Sequence, residues 1–284
     1  MIENLETLAA LARFGTMLKT GTALRISQSA VSKRIATLEH TYGQKLIERS
    51  GKNVVLTKAG TEMVEKVRPL LAEIRGALKA QVIESRLNLV IGVSESLLSS
   101  WGAAMLARTA ARQKVSIRLH AHRSPVVVDK VNSGEFDLGV CAGSIGKAGS
   151  LISELLLREE MVVIRSAQFN KKPASSRPIK VITIEPTSAT WKAIRKPISL
   201  SPITVDQTLE SFFSIAQLAR AGVGHALVPI GVARTLSYRK SQLVRFGGKI
   251  ERPIQLLFRK SRMAKPAFER FVADLHQQAG QTDP

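Results

Sequence analysis

Residues 23–60, ALRISQSAVSKRIATLEHTYGQKLIERSGKNVVLTKAG, decide the fold of the first part of this chain. Ser27 is a favourable N-cap for a helix that runs from Gln28 to about Tyr42, and Gly43 follows as a helix-ending residue. Apolar residues recur along this helix at spacings of 4, 3 and 4, which predicts one buried face: Val31, Ile35, Leu38 and Tyr42.

The side of this helix that points away from the buried face is polar and partly cationic near its start, at Ser29, Ser32 and Lys33. A shorter helix is predicted before it, around Leu18–Leu24. Two helices joined by a short turn indicate a helix-turn-helix unit, in which the start of the second helix enters the major groove of DNA.

The pattern changes after Gly43. Two short strands, Lys45–Arg49 and Val54–Leu56, are predicted across a turn rich in Gly and Asn. A hairpin directly after a recognition helix is a wing, and Arg49 and Lys52 at its tip suit phosphates or the minor groove.

Thr57 is predicted to cap a long helix after the wing. Its apolar residues repeat at 3, 4, 3 and 4, a heptad pattern suited to pairing with a second copy: Val64, Val67, Leu71, Ile74 and Leu78. Pro69 removes one backbone donor within that pattern. We therefore expect a dimerisation helix with a kink.

This ordered set of features resembles the amino-terminal region of LysR-type transcriptional regulators over roughly residues 3–75. The positions that carry the resemblance are Ser27-Gln28, Ala30, Ser32, Ile35, Leu38-Glu39, Gly43, Leu46, Arg49, Leu56-Thr57 and Gly60. The chain departs from the family at Met17, at Thr20-Gly21 in place of an Ala-Ala pair, and at Ser29 in place of Pro. Gly21 is expected to loosen its helix by about 1 kcal/mol relative to Ala.

The resemblance implies two groups of DNA-binding residues. The candidate base readers are Gln28, Ser29, Ser32 and Lys33. Gln can pair with adenine and Lys with guanine in the major groove. The candidate contacts to the DNA backbone are Arg34, Arg49 and Lys52. The alternative is that all of these are ordinary solvated positions on a small helical domain.

From Leu87 onward, strand-like and helix-like segments alternate, which predicts an α/β domain with parallel βαβ units. The stretches IGVSES, SGEFDLGVCAG and LARAGVGHALVP resemble the effector domain of the same family, which has the bilobed type II periplasmic-binding-protein fold. The strands that cross between the lobes are expected near Met161–Arg165 and Ile254–Arg259. A surface turn is predicted at 171–178.

The expected organisation has three parts. Residues 1–60 form the winged helix-turn-helix, residues 57–85 the linker and dimerisation helix, and residues 86–284 the effector-binding domain. Within the last part, the first lobe covers about 86–163 and 259–284, and the second about 164–258.

A ligand in such a fold binds at the carboxyl ends of the strands, near helix N-termini. Thr204, Asp206 and Gln207 are expected to open a helix in the second lobe. The predicted effector-binding residues are Ser94, Ser96, Arg123, Ser124, Gly143, Ser144, Thr204 and Gln207. Each Ser or Thr among them could equally be an ordinary helix cap.

The net charge of +20 calls for an anionic partner or an anionic environment. Residues 1–84 hold 13 basic and 8 acidic side chains, whereas residues 85–284 hold 29 and 14, so the excess lies mostly outside the predicted DNA-binding segment. Together with Arg123, this charge favours a small carboxylate or other anion as effector, whereas Glu95 favours an amine on the ligand.

Other motifs carry little chemistry. His120 and His122 are a conceivable metal pair without a third ligand nearby, and the single cysteine, Cys141, cannot form an internal disulfide. No Ser-His-Asp group, paired carboxylates or Walker loop is visible, so neither an enzyme, a metal nor a cofactor is predicted. The chain shows no secretory signal or membrane-spanning run, which suits a cytoplasmic protein.

The sequence therefore predicts a LysR-type regulator that binds a dyad-symmetric DNA operator as a homodimer or, as the family implies, a homotetramer. A small molecule between the two lobes is expected to change how the DNA-reading heads are arranged. The alternatives are a solute-binding protein or other ligand-binding module, and an enzyme on the same scaffold.

Overall fold

The computed structural model of the protein describes residues 1–50, 53–80, 87–146, 149–168, 178–246 and 250–281. The chain divides into two compact units, which are Met1–Ile83 (unit one) and Glu84–Pro284 (unit two). Within the described ranges, no helix combines the length and the apolar character that crossing a membrane requires.

Unit one contains four helices and a hairpin among its described residues: α1 (Ile2–Phe14), α2 (Met17–Leu24), α3 (Gln28–Tyr42), β1 (Ile47–Ser50), β2 (Asn53–Leu56) and α4 (Lys58–Ala80). The core packs side chains of α1 and α3 against the hairpin and the start of α4: Leu8, Leu11, Ile35, Leu38, Leu46 and Val64. The winged helix-turn-helix prediction is confirmed.

Local chemistry explains where these elements begin and end. At the start of α3, Ser27 Oγ accepts a hydrogen bond from the amide of Ala30 at 3.1 Å. Gly43 ends the helix in the left-handed region, at φ 76°, which glycine adopts without steric cost. Thr57 Oγ1 caps α4 by accepting from the amide of Gly60 at 3.0 Å. Tyr42 is 49% exposed, so its predicted burial is wrong, because it lies in the last turn of α3 beyond the packed core.

Unit two is a two-lobed α/β structure with these elements: β3 (Asn88–Ser94), α5 (Glu95–Leu97), α6 (Ala103–Arg112), β4 (Ser116–His122), α7 (Ser124–Asn132), β5 (Leu138–Ala142), β6 (Leu151–Ile164), β7 (Ile179–Ile184), α8 (Ala189–Ser199), β8 (Ile203–Leu209), α9 (Phe212–Arg220), β9 (His225–Pro229), α10 (Ile230–Thr235), β10 (Leu243–Val244), β11 (Glu251–Arg259), α11 (Lys260–Met263) and α12 (Pro266–Gln281). Residues Leu98–Gly102 form a π-helical turn between α5 and α6.

The strands of unit two run in the order β4-β3-β5-β11-β6-β9-β7-β8, and β10 pairs with β6. The β3–β4, β3–β5, β7–β8 and β7–β9 pairs are parallel, whereas β6 and β11 pair antiparallel to their neighbours. The predicted βαβ units with parallel strands are therefore present in both lobes.

The long strand β6 joins the lobes. Its residues 151–160 pair with β11, and its residues 161–164 pair with β9 of the second lobe. In β11, residues Ile254–Phe258 pair with β5 of the first lobe. This register places β11 in the sheet of the first lobe from Ile254 onward, a few residues before the boundary expected at about 258.

The second lobe differs from the prediction at one segment. Thr204 and Gln207 do not open a helix, because they lie within strand β8. The next helix, α9, starts at Phe212 with Ser211 as its cap, and a helix that the sequence reading missed, α8, precedes β8. β8 is an edge strand with few buried side chains, so its apolar pattern is weak. The turn expected at 171–178 lies outside the described residues except for Pro178.

Candidate DNA-binding surface and effector cleft

The amino-terminal end of α3 presents polar side chains on the surface of unit one. Gln28, Ser29 and Lys33 are exposed and Ser32 is half-buried, whereas Val31 on the other side is buried. Ser29 Oγ lies 2.9 Å from Ser27 Oγ, so this hydroxyl is partly engaged with the cap. The four predicted base readers thus lie on or beside one accessible helix end.

The three residues predicted to contact the DNA backbone differ in where the structure places them. Arg34 is directed to α1, where its Nη2 lies 2.5 Å from Glu3 Oε2 and its Nη1 lies 3.5 Å from Thr7 Oγ1. Arg49 belongs to strand β1, with its side chain outside the described part, and Lys52 also lies outside the described residues. Arg34 therefore couples α3 to α1, a role that the sequence did not indicate.

Glu39 holds the wing against α3, and the sequence reading did not single it out for this role. Its Oε1 accepts from the amides of Leu46 at 2.9 Å and Ile47 at 3.3 Å, and its Oε2 accepts from Lys45 Nζ at 2.7 Å. Burial by itself would raise the pKa of Glu39, but the Lys45 contact and the two amide donors outweigh it and lower the pKa. The resemblance at Leu38-Glu39 was the available signal.

Gly21 has a packing reason that the propensity argument overlooked. A Cβ at Gly21 would lie 2.7 Å from the carbonyl oxygen of Ile26, whose amide donates to Gly21 O at 2.9 Å. The turn between α2 and α3 therefore approaches the backbone of α2 too closely for an alanine without a shift. The propensity difference between Gly and Ala therefore does not describe the whole effect of Gly21, because an alanine would also meet this carbonyl.

The heptad pattern of α4 is partly used inside unit one. Val64 belongs to the core and Leu71 is buried, whereas Leu70 and Ile74 are exposed. The side chain of Leu78 lies outside the described part, and α4 continues through Pro69. The exposed apolar residues of α4 are therefore not confined to the predicted heptad positions.

A cleft of about 70 Å³ lies between the two lobes of unit two, at the carboxyl ends of β3, β4 and β5. Its polar lining residues include Ser94, Ser96, Arg123, Ser124 and Arg252. The second lobe adds Ser188, Ala189, Thr190, Glu210 and Phe212 to the lining. Four predicted effector residues thus meet at one place.

The remaining four lie elsewhere. Gly143 has φ +93°, and a Cβ there would lie 2.2 Å from the backbone of Ala189; the amide of Ser144 donates to Ala189 O at 2.8 Å. These two residues therefore fasten β5 to the start of α8 and do not line the cleft. Thr204 and Gln207 are exposed on β8 and are likewise absent from the lining, because the predicted helix there is a strand.

Ser94 and Ser124 form a closed hydrogen-bond network. Ser124 Oγ donates to Ala142 O at 2.9 Å, the two hydroxyl oxygens are 2.8 Å apart, and the amide of Ala142 donates to Ser94 Oγ at 3.0 Å. With Ser124 donating to the carbonyl, Ser94 must donate to Ser124. Both hydroxyl protons are therefore committed, and a ligand could use these oxygens only as acceptors.

Arg123 bridges the lobes at the mouth of the cleft. It precedes α7 in the first lobe, and its guanidinium contacts Glu185, Thr187 Oγ1 at 3.2 Å and Glu210 Oε1 at 3.6 Å in the second lobe. Hydrogen bonding from Thr187, followed by the contacts of Arg123, lowers the pKa of Glu185. Arg123 is thus already paired with carboxylates rather than available for an anion.

The floor of the cleft holds a buried ion pair that sequence reading missed. Arg252 and Glu159 are both 0% exposed, with Arg252 Nε donating to Glu159 Oε2 at 2.9 Å. Glu159 Oε1 also accepts from Trp101 Nε1 at 3.0 Å and from the amide of Gly231 at 3.2 Å. In the sequence, an Arg and a Glu on strands look like surface residues, so no local signal could have revealed them.

The two histidines and the cysteine have structural surroundings. His120 and His122 stack with Phe136, and the part of the chain that the structure describes contains no group of three potential metal ligands. Cys141 is buried, and burial raises the pKa of its thiol to about 12 although a contact with Ser124 acts in the opposite direction. A thiol with this pKa is almost entirely protonated at neutral pH.

Two family models match this chain. Residues 2–61 match the bacterial regulatory helix-turn-helix protein model of the lysR family, and residues 84–280 match the LysR substrate binding domain. An uncharacterized HTH-type transcriptional regulator from Vibrio cholerae serotype O1 is 30% identical over 97% of this chain and 96% of its own length.

Solved structures with the same fold include two LysR-type proteins. A full-length OxyR variant from Pseudomonas aeruginosa has a TM-score of 0.66 at 17% identity and covers 97% of each chain. Full-length CbnR in complex with its target DNA has a TM-score of 0.56 at 18% identity, covering 98% of this chain and 99% of that one.

Proposed function

Because this chain belongs to the LysR family of bacterial transcriptional regulators, we propose that α3 of unit one reads an operator under the control of a small effector in the cleft of unit two. The observation that carries the proposal is the exposed polar end of α3, which Ser27 caps and which the wing follows directly. This is the geometry with which a recognition helix enters the major groove.

The contacts to DNA are assigned by chemistry. Gln28, Ser29, Ser32 and Lys33 read base edges, and the wing residues Arg49 and Lys52 bind the DNA backbone. Arg34 acts mainly on the orientation of α3, since Glu3 of α1 holds its guanidinium.

Regulation follows from assembly. Two copies paired through α4 would present two reading heads to a dyad-symmetric operator, and family assembly implies dimers or tetramers. The exposed Leu70 and Ile74 provide apolar surface on α4 for such pairing. An effector that binds one arrangement of the lobes better than another would shift the arrangement of the heads.

The domain boundaries that fit this function are 1–60 for DNA binding, 57–85 for pairing and 86–284 for effector binding. A bacterial regulator of this kind acts in the cytoplasm and performs no catalysis. A solute-binding role is the second candidate, because the two-lobed fold alone would be sufficient for that role. Such a role would not explain the winged helix-turn-helix.

Mobility-shift assays on DNA upstream of the protein's own gene test the proposal. Ser32→Ala and Lys33→Ala should reduce the preference for operator over random DNA by about ten-fold, since a good base contact contributes about 1–3 kcal/mol of discrimination. Lys52→Ala should weaken binding to both DNAs equally and lower the salt dependence.

Lys192→Ala is the matched control, because it removes the same charge from an exposed position of unit two. Equal losses on operator and random DNA for Ser32→Ala and Lys33→Ala would contradict the assignment of base readers. If added salt abolished binding to operator and random DNA equally, the net charge of +20 alone would account for DNA binding.

A further inference from the structure

The cleft of unit two has two chemically different ends, and together they define the class of effector that it would accept if the proposed function holds. Its floor is formed around Arg252, which is fully buried and lines the cavity. Its mouth carries the exposed Glu95 and Glu210, together with Arg123.

The floor is a set of hydrogen-bond donors. Arg252 faces Glu159 side-on through Nε and Nη2, and its Nη1 donates to Ser96 Oγ at 3.0 Å. Nη2 lies 2.7 Å from Glu159 Oε2, but no acceptor in the described part of the chain meets hydrogen-bond geometry with it. A guanidinium has five N–H groups, so a side-on pair leaves one Nη2 hydrogen directed away from the carboxylate.

Two hydroxyls next to this guanidinium add donors. Ser96 Oγ and Thr190 Oγ1 both accept from Arg252 Nη1, the latter at 3.5 Å. Their own hydroxyl protons have no acceptor among the contacts of the described residues. Ser96 comes from the first lobe and Thr190 from the second, so hydroxyls from both lobes meet at Arg252 Nη1 in the buried floor. Convergent donors of this kind suit a carboxylate or similar oxygen acceptor.

The mouth has the opposite preference. Glu95 and Glu210 line the cavity and Glu185 borders it, while Arg123 is, among the described residues of the lining, the one Lys or Arg that Glu159 does not neutralise. Three carboxylates thus face one guanidinium. A simple anion would meet repulsion at the mouth, whereas a ligand with a positive nitrogen there would not.

We propose that the effector is a small zwitterion of the amino-acid type, whose carboxylate binds Arg252, Ser96 and Thr190 and whose cationic nitrogen lies near Glu95 and Glu210. This replaces the simple anion that the overall charge suggested, because local charges in a partly desolvated cleft outweigh distant surface lysines that solvent screens.

Entry requires the lobes to separate. The cleft of about 70 Å³ is much smaller than the 300–1,000 Å³ or so of typical ligand sites. The contacts of Arg123 with Glu185 and Glu210 span the mouth and must break as the lobes open. Exposed ion pairs contribute little to stability, so they are a small obstacle.

Calorimetric titration of the full chain with each standard amino acid tests this assignment. We expect at least one to bind, and its decarboxylated amine and its deaminated acid to bind at least about ten-fold more weakly, because each loses a hydrogen-bonded charged group. Thr190→Val and Ser96→Ala should each weaken binding of that amino acid about ten-fold.

Both variants leave the Arg252–Glu159 pair intact, so they should fold. The matched controls are Thr208→Val and Ser116→Ala, which alter exposed residues outside the cleft lining and should bind like the parent chain. Equal binding of the deaminated acid, equal effects of Thr190→Val and Thr208→Val, or no binding of any amino acid would overturn the proposal. Operator binding measured without added amino acid then decides separately whether the regulatory function itself stands.

Discussion

The recognition-helix region and the effector cleft are both polar, but they are assembled over very different distances along the chain. Glu39 binds the amide of Leu46, 7 residues away. In the cleft, Arg252 reaches Glu159 across 93 residues and Ser96 across 156. The first site is thus a product of local sequence, and the second exists only after the lobes have folded.

The two regions also differ in how far their polar side chains are buried. The side chains of α3 that we propose as base readers are largely exposed, so replacing them should change DNA binding without unfolding unit one. The floor of the cleft is fully buried, and there binding and stability depend on the same atoms. The following experiments test whether this difference is real.

The largest expected effect is on unit two. Arg252→Met leaves Glu159 buried without its cation and should lower the free energy of unfolding of unit two by about 3–5 kcal/mol. Both tryptophans, Trp101 and Trp191, lie in unit two, so their fluorescence during chemical denaturation reports this unit.

The double variant Arg252→Met/Glu159→Leu should recover part of the loss, because it removes the uncompensated charge but also the acceptor of Trp101 Nε1 and of the Gly231 amide. Arg118→Met, at an exposed position of β4, is the control. A loss below about 1 kcal/mol in Arg252→Met would mean that the ion pair is not buried as described.

An intermediate effect is expected in unit one from Gly60→Ala. A Cβ at Gly60 would lie 2.0 Å from the carbonyl oxygen of Leu46, so α4 and the wing would have to move apart at a cost of about 2–3 kcal/mol. Faster hydrogen exchange in α1 and α3 would report the loss. Gly280→Ala, where a Cβ meets open space, should not destabilise the chain, and equal behaviour of the two variants would refute the close approach.

The smallest effect is expected from Glu39→Gln, which should lower the free energy of unfolding by about 1–2 kcal/mol. The amides of Leu46 and Ile47 would then donate to a neutral oxygen instead of a charged one. The pKa of Glu39 is lowered in the folded state from its ordinary value of 4.5, so its contribution is complete at neutral pH and declines as pH falls through the folded-state pKa. The stability gap between parent and variant should therefore narrow in acid. A gap that does not change with pH would contradict this role.

The sequence predicted unit one well because its signals are local. Ser27, Gly43 and Thr57 act on amides or turns a few residues away, and the spacing of Val31, Ile35 and Leu38 reports one helix face. The sequence did not reveal the close approach at Gly21, for the opposite reason. The effect of a side chain at Gly21 depends on the carbonyl oxygen of Ile26, which lies close to α2. Helix propensity does not account for that contact.

The residues of the cleft were only partly predictable from the sequence. Ser94, Ser96, Arg123 and Ser124 were found because strand ends and helix starts can be located from periodicity. The helix start predicted at Thr204 and Gln207 was wrong, because an edge strand with little burial carries a weak apolar pattern. Arg252, Thr190 and Glu210 were missed, since nothing in their neighbourhoods along the chain distinguishes them from surface residues.

The sequence alone thus determined the winged helix-turn-helix, the two-lobed class of unit two and the strand ends from which the first lobe contributes to the cleft. Tertiary structure decided the partner of each charge, including Arg34 with Glu3, Arg123 with Glu185 and Arg252 with Glu159. The physical reason is that helix caps and periodicity act over a few residues, whereas the environment of a charge is set by whatever the fold brings near it.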